Sequence, residues 1–388
     1  MLPSHLQTAL AQHATRSLWR KRHLIAARQE NHITVNNDTL INFSSNDYLC
    51  LAQHPFITQA YINGIHRYGM GSTAAPLICG YSQAHAELEI AFADFLKRDR
   101  ALLFNSGYHA NLGVLSTFAN RHTTVIADKY CHASLIDGIV LSRAQHKRYQ
   151  HNDMQQAETL LKQKTHPALL VSESVFSMQG DIADISQLAA LAKRYSAMLL
   201  VDDAHGIGVL GKSGGGICEQ QHLSQEDVPC LVLPLGKTFA GMGAIVSGSH
   251  DLIEALLQFS RTYRYSTALP PALCEATQTT LRVIQDETWR REKLNALIRL
   301  FVRAAQERAL PLFSDALTPI KSIIIGNNEK TIAIQNNMIA HGFFVSCIRE
   351  PTVPKNAACI RISLNCMHSE AHIIQLLDLL KRQIRNDD

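Results

Sequence analysis

The stretch MLLVDDAHG, Met198 to Gly206, carries the reading of the fold. A short unbroken apolar run ends in two acids, a small residue, a histidine and a glycine. A run of this length reads as a strand buried on both faces, which is the habit of parallel sheets. The same arrangement recurs at Ala101–Phe104, Thr124–Ala127, Ala168–Ser172, Cys230–Pro234 and Ala244–Ser247, with helical stretches between the runs. Strand–loop–helix alternation predicts an α/β fold: a large domain with a mainly parallel sheet and helices on both faces. In such sheets ligands collect beyond the carboxyl ends of the strands. The polar residues that follow the apolar runs are therefore where chemistry is sought.

Outward from this core, residues Leu2 to about Arg28 read as an amphipathic helix. Ile33 to Phe43 alternates around Asn36-Asn37-Asp38, which predicts a hairpin. Beyond the sheet, Arg282–Arg308 reads as one long charged helix. Ser322–Gly326, Phe343–Ile348 and Cys359–Leu364 read as strands, Thr331–His341 and Glu370–Ile384 as helices. These imply a smaller α+β C-terminal domain. The expected division is an N-terminal helix and hairpin over 1–45, a large cofactor-binding domain over 46–280, and the small domain over 281–388.

Composition excludes some functions. A net charge of +4, from 37 basic and 33 acidic side chains, is too small to argue for nucleic acid. The nine cysteines are scattered and include no C-x-x-C pair, so neither a disulfide framework nor a metal site is expected. Free thiols suit a reducing compartment. No apolar run approaches the ~18 residues that span a bilayer, and no apolar signal core follows Met1. The basic start (Arg16, Arg20, Lys21, Arg22, Arg28) could be a transit peptide, but a surface helix accounts for it as well. The expected location is cytoplasmic.

Two strand ends carry the decisive chemistry. Asp202 closes one apolar run, and Leu235-Gly236-Lys237 follows another. An acid can hold a pyridine nitrogen protonated, and a lysine can form an imine with an aldehyde, which are the two groups a pyridoxal cofactor requires. Taken alone, Asp202 reads more readily as a helix cap and Lys237 as a solvated loop charge; the two together at strand ends, with the further matches along the chain, favour the cofactor. Asn105-Ser106-Gly107-Tyr108-His109-Ala110-Asn111 opens a helix after a strand, where small residues let backbone N–H groups approach a phosphate. Asp128-Lys129-Tyr130-Cys131-His132-Ala133-Ser134 follows another strand; its imidazole could stack on a flat ring or merely cap a surface helix. No G-x-G-x-x-G turn follows a strand here, which argues against a dinucleotide module.

Longer motifs run through nearly the whole chain: NFSSNDYL (42–49), GYSQAHAELE (80–89), DKYCHASLIDG (128–138), SESVFSMQGD (172–181), VDDAHGIGVLG (201–211), LGK (235–237) and YSTALPP (265–271). In their order and length they resemble the α-oxoamine synthases. These belong to the aminotransferase-like fold type I and join an amino acid to an acyl thioester with loss of carbon dioxide. VDDAHG, the stretch Ile348–Pro354 followed by Arg361, and His151-Asn152-Asp153 resemble the biotin-pathway branch. That branch uses L-alanine and a pimeloyl thioester, of coenzyme A or a carrier protein. The alternatives are the glycine-using CoA ligase branch and a catalytically inactive regulatory paralogue.

The resemblance implies pyridoxal 5'-phosphate as cofactor and a homodimer. It implies Lys237 as the Schiff-base lysine and later proton-transfer base, Asp202 at the ring nitrogen, His205 at the ring hydroxyl and His132 on the ring face. Gly107 and Tyr108 match the phosphate end and Ser177 a polar cofactor contact. Arg361 matches the carboxylate clamp, and Arg20, Thr352 and His132 the substrate positions. Two departures stand out. Pro234 replaces a hydroxyl residue that donates to the phosphate, with Thr238 as a possible substitute donor. In Gly71–Pro76 a glycine-rich loop is replaced by bulkier residues that could alter the substrate mouth.

Overall fold

The apolar runs become neighbours in a seven-stranded sheet of order 100–104, 244–248, 230–234, 197–202, 168–173, 124–128, 145–149. All strands are parallel except Ala244–Gly248, which runs antiparallel to both its neighbours. The α/β expectation is thus met. One strand escaped the sequence reading: Gln145–Tyr149 (QHKRY) carries no apolar run, because it is an edge strand and exposes much of its length. One face of the sheet (Leu102, Phe104, Val125, Ala127, Leu169, Val171, Leu200, Val232) packs on Val114, Leu115, Leu135, Ile139, Ile253 and Leu256 of the surrounding helices. The alternate residues Ile126, Leu170, Leu231 and Ile245 point to the other face and are also fully buried. Burial on both faces explains why these strands are apolar throughout rather than alternating.

This computed structural model describes residues 2–385. Met1 and 386–388, at the outer edges of the expected terminal domains, lie outside the described residues. The chain divides into two compact units: Leu51–Ser177 with Ile182–Arg291, which holds the large sheet, and residues up to Cys50 with Met178–Asp181 and those from Glu292 on.

The second unit holds two small sheets. One has the strand order 25–29, 32–35, 38–42, 343–344, and the other is an antiparallel sheet of 320–326, 358–363 and 346–348. The stretch read as one strand over 343–348 is split: Phe343 and Phe344 pair in parallel with Ile41 and Asn42, while Ser346–Ile348 pairs with Cys359–Arg361. The Asn36–Asn37 turn forms as read, both residues taking positive φ (49° and 71°), which asparagine tolerates.

Two helix readings require correction. Only Ser4–Thr15 of the first is helical; Ser17 turns left-handed at φ 55°, and Ile25–Gln29 pairs with the hairpin as a third strand. That helix buries no residue, so no packing prolongs it, whereas pairing satisfies the backbone of 25–29. The second reading, Arg282–Arg308, is two helices, Pro271–Asp286 and Trp289–Glu307. Glu287 breaks them at ψ 59°, its carboxylate taken by Arg290 (2.6 Å) and His54 (3.1 Å). The buried Arg291 guanidinium donates to the Ile284 carbonyl and so satisfies the end of the first helix. Among the described residues no helix is long and apolar enough to cross a membrane.

Candidate active site

A cavity of about 170 Å³ lies at the carboxyl ends of the parallel strands. Its lining includes all seven residues expected at the cofactor: Gly107, Tyr108, His132, Ser177, Asp202, His205 and Lys237. Asn111, Ser134, Glu173, Ala204 and Pro234 complete it.

Asp202 is the last residue of its strand and is 5% exposed. Its Oδ1 accepts the Ala204 N–H (3.0 Å) and its Oδ2 accepts from Asn111 Nδ2 (2.7 Å). Donors of this kind stabilise the charged form of a buried carboxylate. Glu173 ends the next strand in register with Asp202, so the two side chains share one side of the sheet. Burial, reinforced by the Asp202 charge, pushes the Glu173 carboxyl well above the usual carboxylate range. Its Oε1 accepts the His132 backbone N–H at 2.5 Å. Sequence inspection passed over Glu173; the available signal was an acid closing an apolar strand, as at Asp128 and Asp202.

His132 is the N-cap of helix Ala133–Ser142. Burial and the Lys237 cation lower its pKa, against an opposing pull from Asp202 and Asp137. Lys237 sits in a turn closed by Ala240 N–H to Lys237 O (2.8 Å) and Leu235 N–H to Gly243 O (2.9 Å). The turn holds the lysine backbone through bonds that do not involve its side chain.

The lining fits pyridoxal phosphate. Helix Gly107–Phe118 begins at the cavity, and its first N–H groups form an anion site. A buried carboxylate, an imidazole and a primary amine supply partners for a pyridine nitrogen, a ring face and an aldehyde. Pro234 contributes no donor. Thr238 is buried, its methyl group packed toward Gly208, and it is not part of the lining. Gly107 lies so close to Pro234 that an added Cβ would come within 2.6 Å of Pro234 Cγ. Gly107→Ala should therefore cost about 1–3 kcal/mol by overpacking and weaken cofactor binding as the helix start is displaced. Urea unfolding and cofactor titration read the two effects separately.

Of the expected substrate residues, His132 lines this cavity, while Arg20, Thr352 and Arg361 belong to the other unit. Arg20 Nη2 donates to Thr352 Oγ1 at 3.2 Å, and both line a cavity of about 550 Å³ with Lys21, His23 and Arg349. Arg361, 6% exposed, donates to Ser363 Oγ (2.9 Å) and Asn46 Oδ1 (3.1 Å).

The family model for aminotransferase class I and II matches residues 38–380. The chain is 44% identical to the 8-amino-7-oxononanoate synthase of Pseudomonas paraeruginosa over 97% of this chain and 93% of that one. The chain belongs to the 8-amino-7-oxononanoate synthase family. A solved 8-amino-7-oxononanoate synthase, from Francisella tularensis, superposes with a TM-score of 0.81 at 34% identity, covering 90% of this chain and 98% of that one. A serine palmitoyltransferase variant from S. paucimobilis, solved with a bound PLP–myriocin aldimine, gives a TM-score of 0.93 at 25% identity over 99% and 97% of the two chains. The resemblance read from the motifs is thereby established for the 8-amino-7-oxononanoate synthase family, and the cofactor of that family is PLP.

Proposed function

We propose that this chain condenses L-alanine with a pimeloyl thioester, giving 8-amino-7-oxononanoate, carbon dioxide and free thiol in biotin synthesis. The observation that carries the reading is the meeting of Lys237, Asp202, His205 and His132 on one cavity, in a chain so similar to enzymes of that name. Bound PLP supplies an aldehyde for the amino group and a ring that accepts charge from the α-carbon. Asp202 would keep a proton on the pyridine nitrogen, which would make that acceptance favourable. Lys237 Nζ takes and returns the α-proton. His132 would cover one ring face, His205 and Ser177 would contact polar atoms of the cofactor, and the Gly107 and Tyr108 N–H groups would hold its phosphate. Arg361, a planar bidentate donor, suits the alanine carboxylate. Arg20 and Thr352 take the acyl substrate.

The testing experiment adds L-alanine, then glycine, to the PLP-loaded protein and follows the visible spectrum, then adds pimeloyl-CoA and records thiol release. A spectral shift with alanine and thiol release is expected. A response to glycine alone would transfer the chain to the glycine-using branch. Pro234→Thr should restore the missing phosphate donor. A hydrogen bond to a charged group contributes about 1.5–3 kcal/mol, so the PLP dissociation constant should fall about 10- to 100-fold. An unchanged constant would mean that the helix start already saturates the phosphate.

A homodimer is part of the proposal. Met70, Ile78 and Tyr265 in the large-sheet unit are 92%, 78% and 66% exposed, and a subunit interface would cover side chains of this kind. Light scattering at micromolar concentration checks it. A cytoplasmic location is proposed from the free cysteines.

A further inference from the structure

Asn111 is 1% exposed and reaches two partners with one nitrogen. Its Nδ2 donates to Asp202 Oδ2 (2.7 Å) and to Ser134 Oγ (2.9 Å). An amide nitrogen carries two protons and no acceptor, so both bonds run outward from Asn111. Ser134 Oγ thus receives a proton and keeps its own to give away. The partner within reach is His132 Nδ1, at 2.8 Å. The Ser134 backbone N–H points to the same nitrogen, at 3.2 Å. A backbone N–H can only donate, and a hydroxyl that already accepts from Asn111 is set to donate as well. His132 Nδ1 is therefore an acceptor twice over and has no room for a proton.

We infer that Asn111 and Ser134 are positioning residues that fix His132 as the neutral imidazole with its proton on Nε2. Asn111 donates to the Asp202 carboxylate and to Ser134, and Ser134 donates to the ring, so an amide anchored on the carboxylate sets the tautomer of the imidazole. Protonating Nδ1 would oppose two N–H and O–H dipoles at once and disrupt the bond that orients Ser134. The charged groups facing the ring are Asp202, Asp137 and Lys237, and burial adds to the lysine in favouring the neutral form. A neutral ring with Nε2–H offers one directed donor to an oxygen in the cavity and competes with neither Lys237 for protons nor Asp202 for the pyridinium. That use rests on the function proposed above; the tautomer itself does not.

The test is two-bond proton–nitrogen NMR of the PLP-loaded protein labelled at histidine, with His132→Gln to assign the His132 signals. At neutral pH, Nε2 should show the protonated pattern and Nδ1 the unprotonated one. A proton on Nδ1, alone or together with one on Nε2, would overturn the inference. Ser134→Ala should raise the minor tautomer about fivefold, the equilibrium equivalent of one ordinary hydrogen bond, and Ser134→Thr should return it to the starting level. Asn111→Ala should do the same and also move the pH dependence of the bound-cofactor absorption, because it removes a donor from Asp202. A His132 spectrum indifferent to both changes would deny these residues the role. Thiol release measured on the same samples separates the two claims: turnover with the wrong tautomer sinks this inference alone, and the expected tautomer without turnover sinks the proposed function alone.

Discussion

Lys237→Ala is expected to reduce turnover by at least about 10⁴-fold, the upper range for a positioned proton-transfer group, and to abolish the visible absorption of bound cofactor. The loss has two sources. In the proposed function the variant loses both the amine that would anchor the cofactor and the group that would carry the α-proton. Folding should survive, because the turn over Pro234–Gly243 is closed by backbone bonds. Thermal unfolding should therefore move little while the spectrum changes completely. An independent consequence follows from charge. Lys237 is one of the groups that lower the His132 pKa, so the variant should raise it. A variant that still turns over, or one that keeps the visible band, would remove Lys237 from its proposed role.

Asp202→Asn should lower kcat about 10²- to 10⁴-fold. Removing one partner of a buried charge pair costs about 3–5 kcal/mol, and each 1.36 kcal/mol is tenfold in rate. The substitution is nearly isosteric, so the strand end and the Ala204 turn should persist. In the proposed function what is lost is the negative charge that would face the pyridine nitrogen, and with it the proton that would let the ring accept charge. The effect should fall on kcat more than on KM, because that charge matters most where the α-carbon becomes negative. Steady-state kinetics with L-alanine, alongside urea unfolding, checks both parts. A normal kcat would place the ring-nitrogen partner elsewhere. Glu173 offers a second readout: neutralising position 202 removes one of the causes that hold its pKa high, so it should fall.

The chain by itself determined the parallel sheet, because strands buried on both faces must be apolar along their length, and such runs are visible as at Leu199–Val201. It also determined the chemical inventory of the cavity, since Asp202 closes a strand, Gly107 and His132 stand at the start of the helix after one, and Lys237 lies in the turn after another. Residues near the carboxyl ends of parallel strands converge whatever the distance between them in sequence. Three things were decided only in three dimensions. Helix limits near Thr15 and Glu287 depend on packing and on side chains from distant segments, such as His54 at Glu287. The polar strand Gln145–Tyr149 exists because a buried neighbour, Thr124–Asp128, offers it a backbone edge. Glu173, Asn111 and Ser134 join the site through register and hydrogen bonding to Asp202 and His132, and those partners become neighbours only once the sheet has formed. Hydrophobic periodicity is a local property and is written along the chain. Which polar groups satisfy one another is a property of contacts between strands and helices, and only the folded chain decides it.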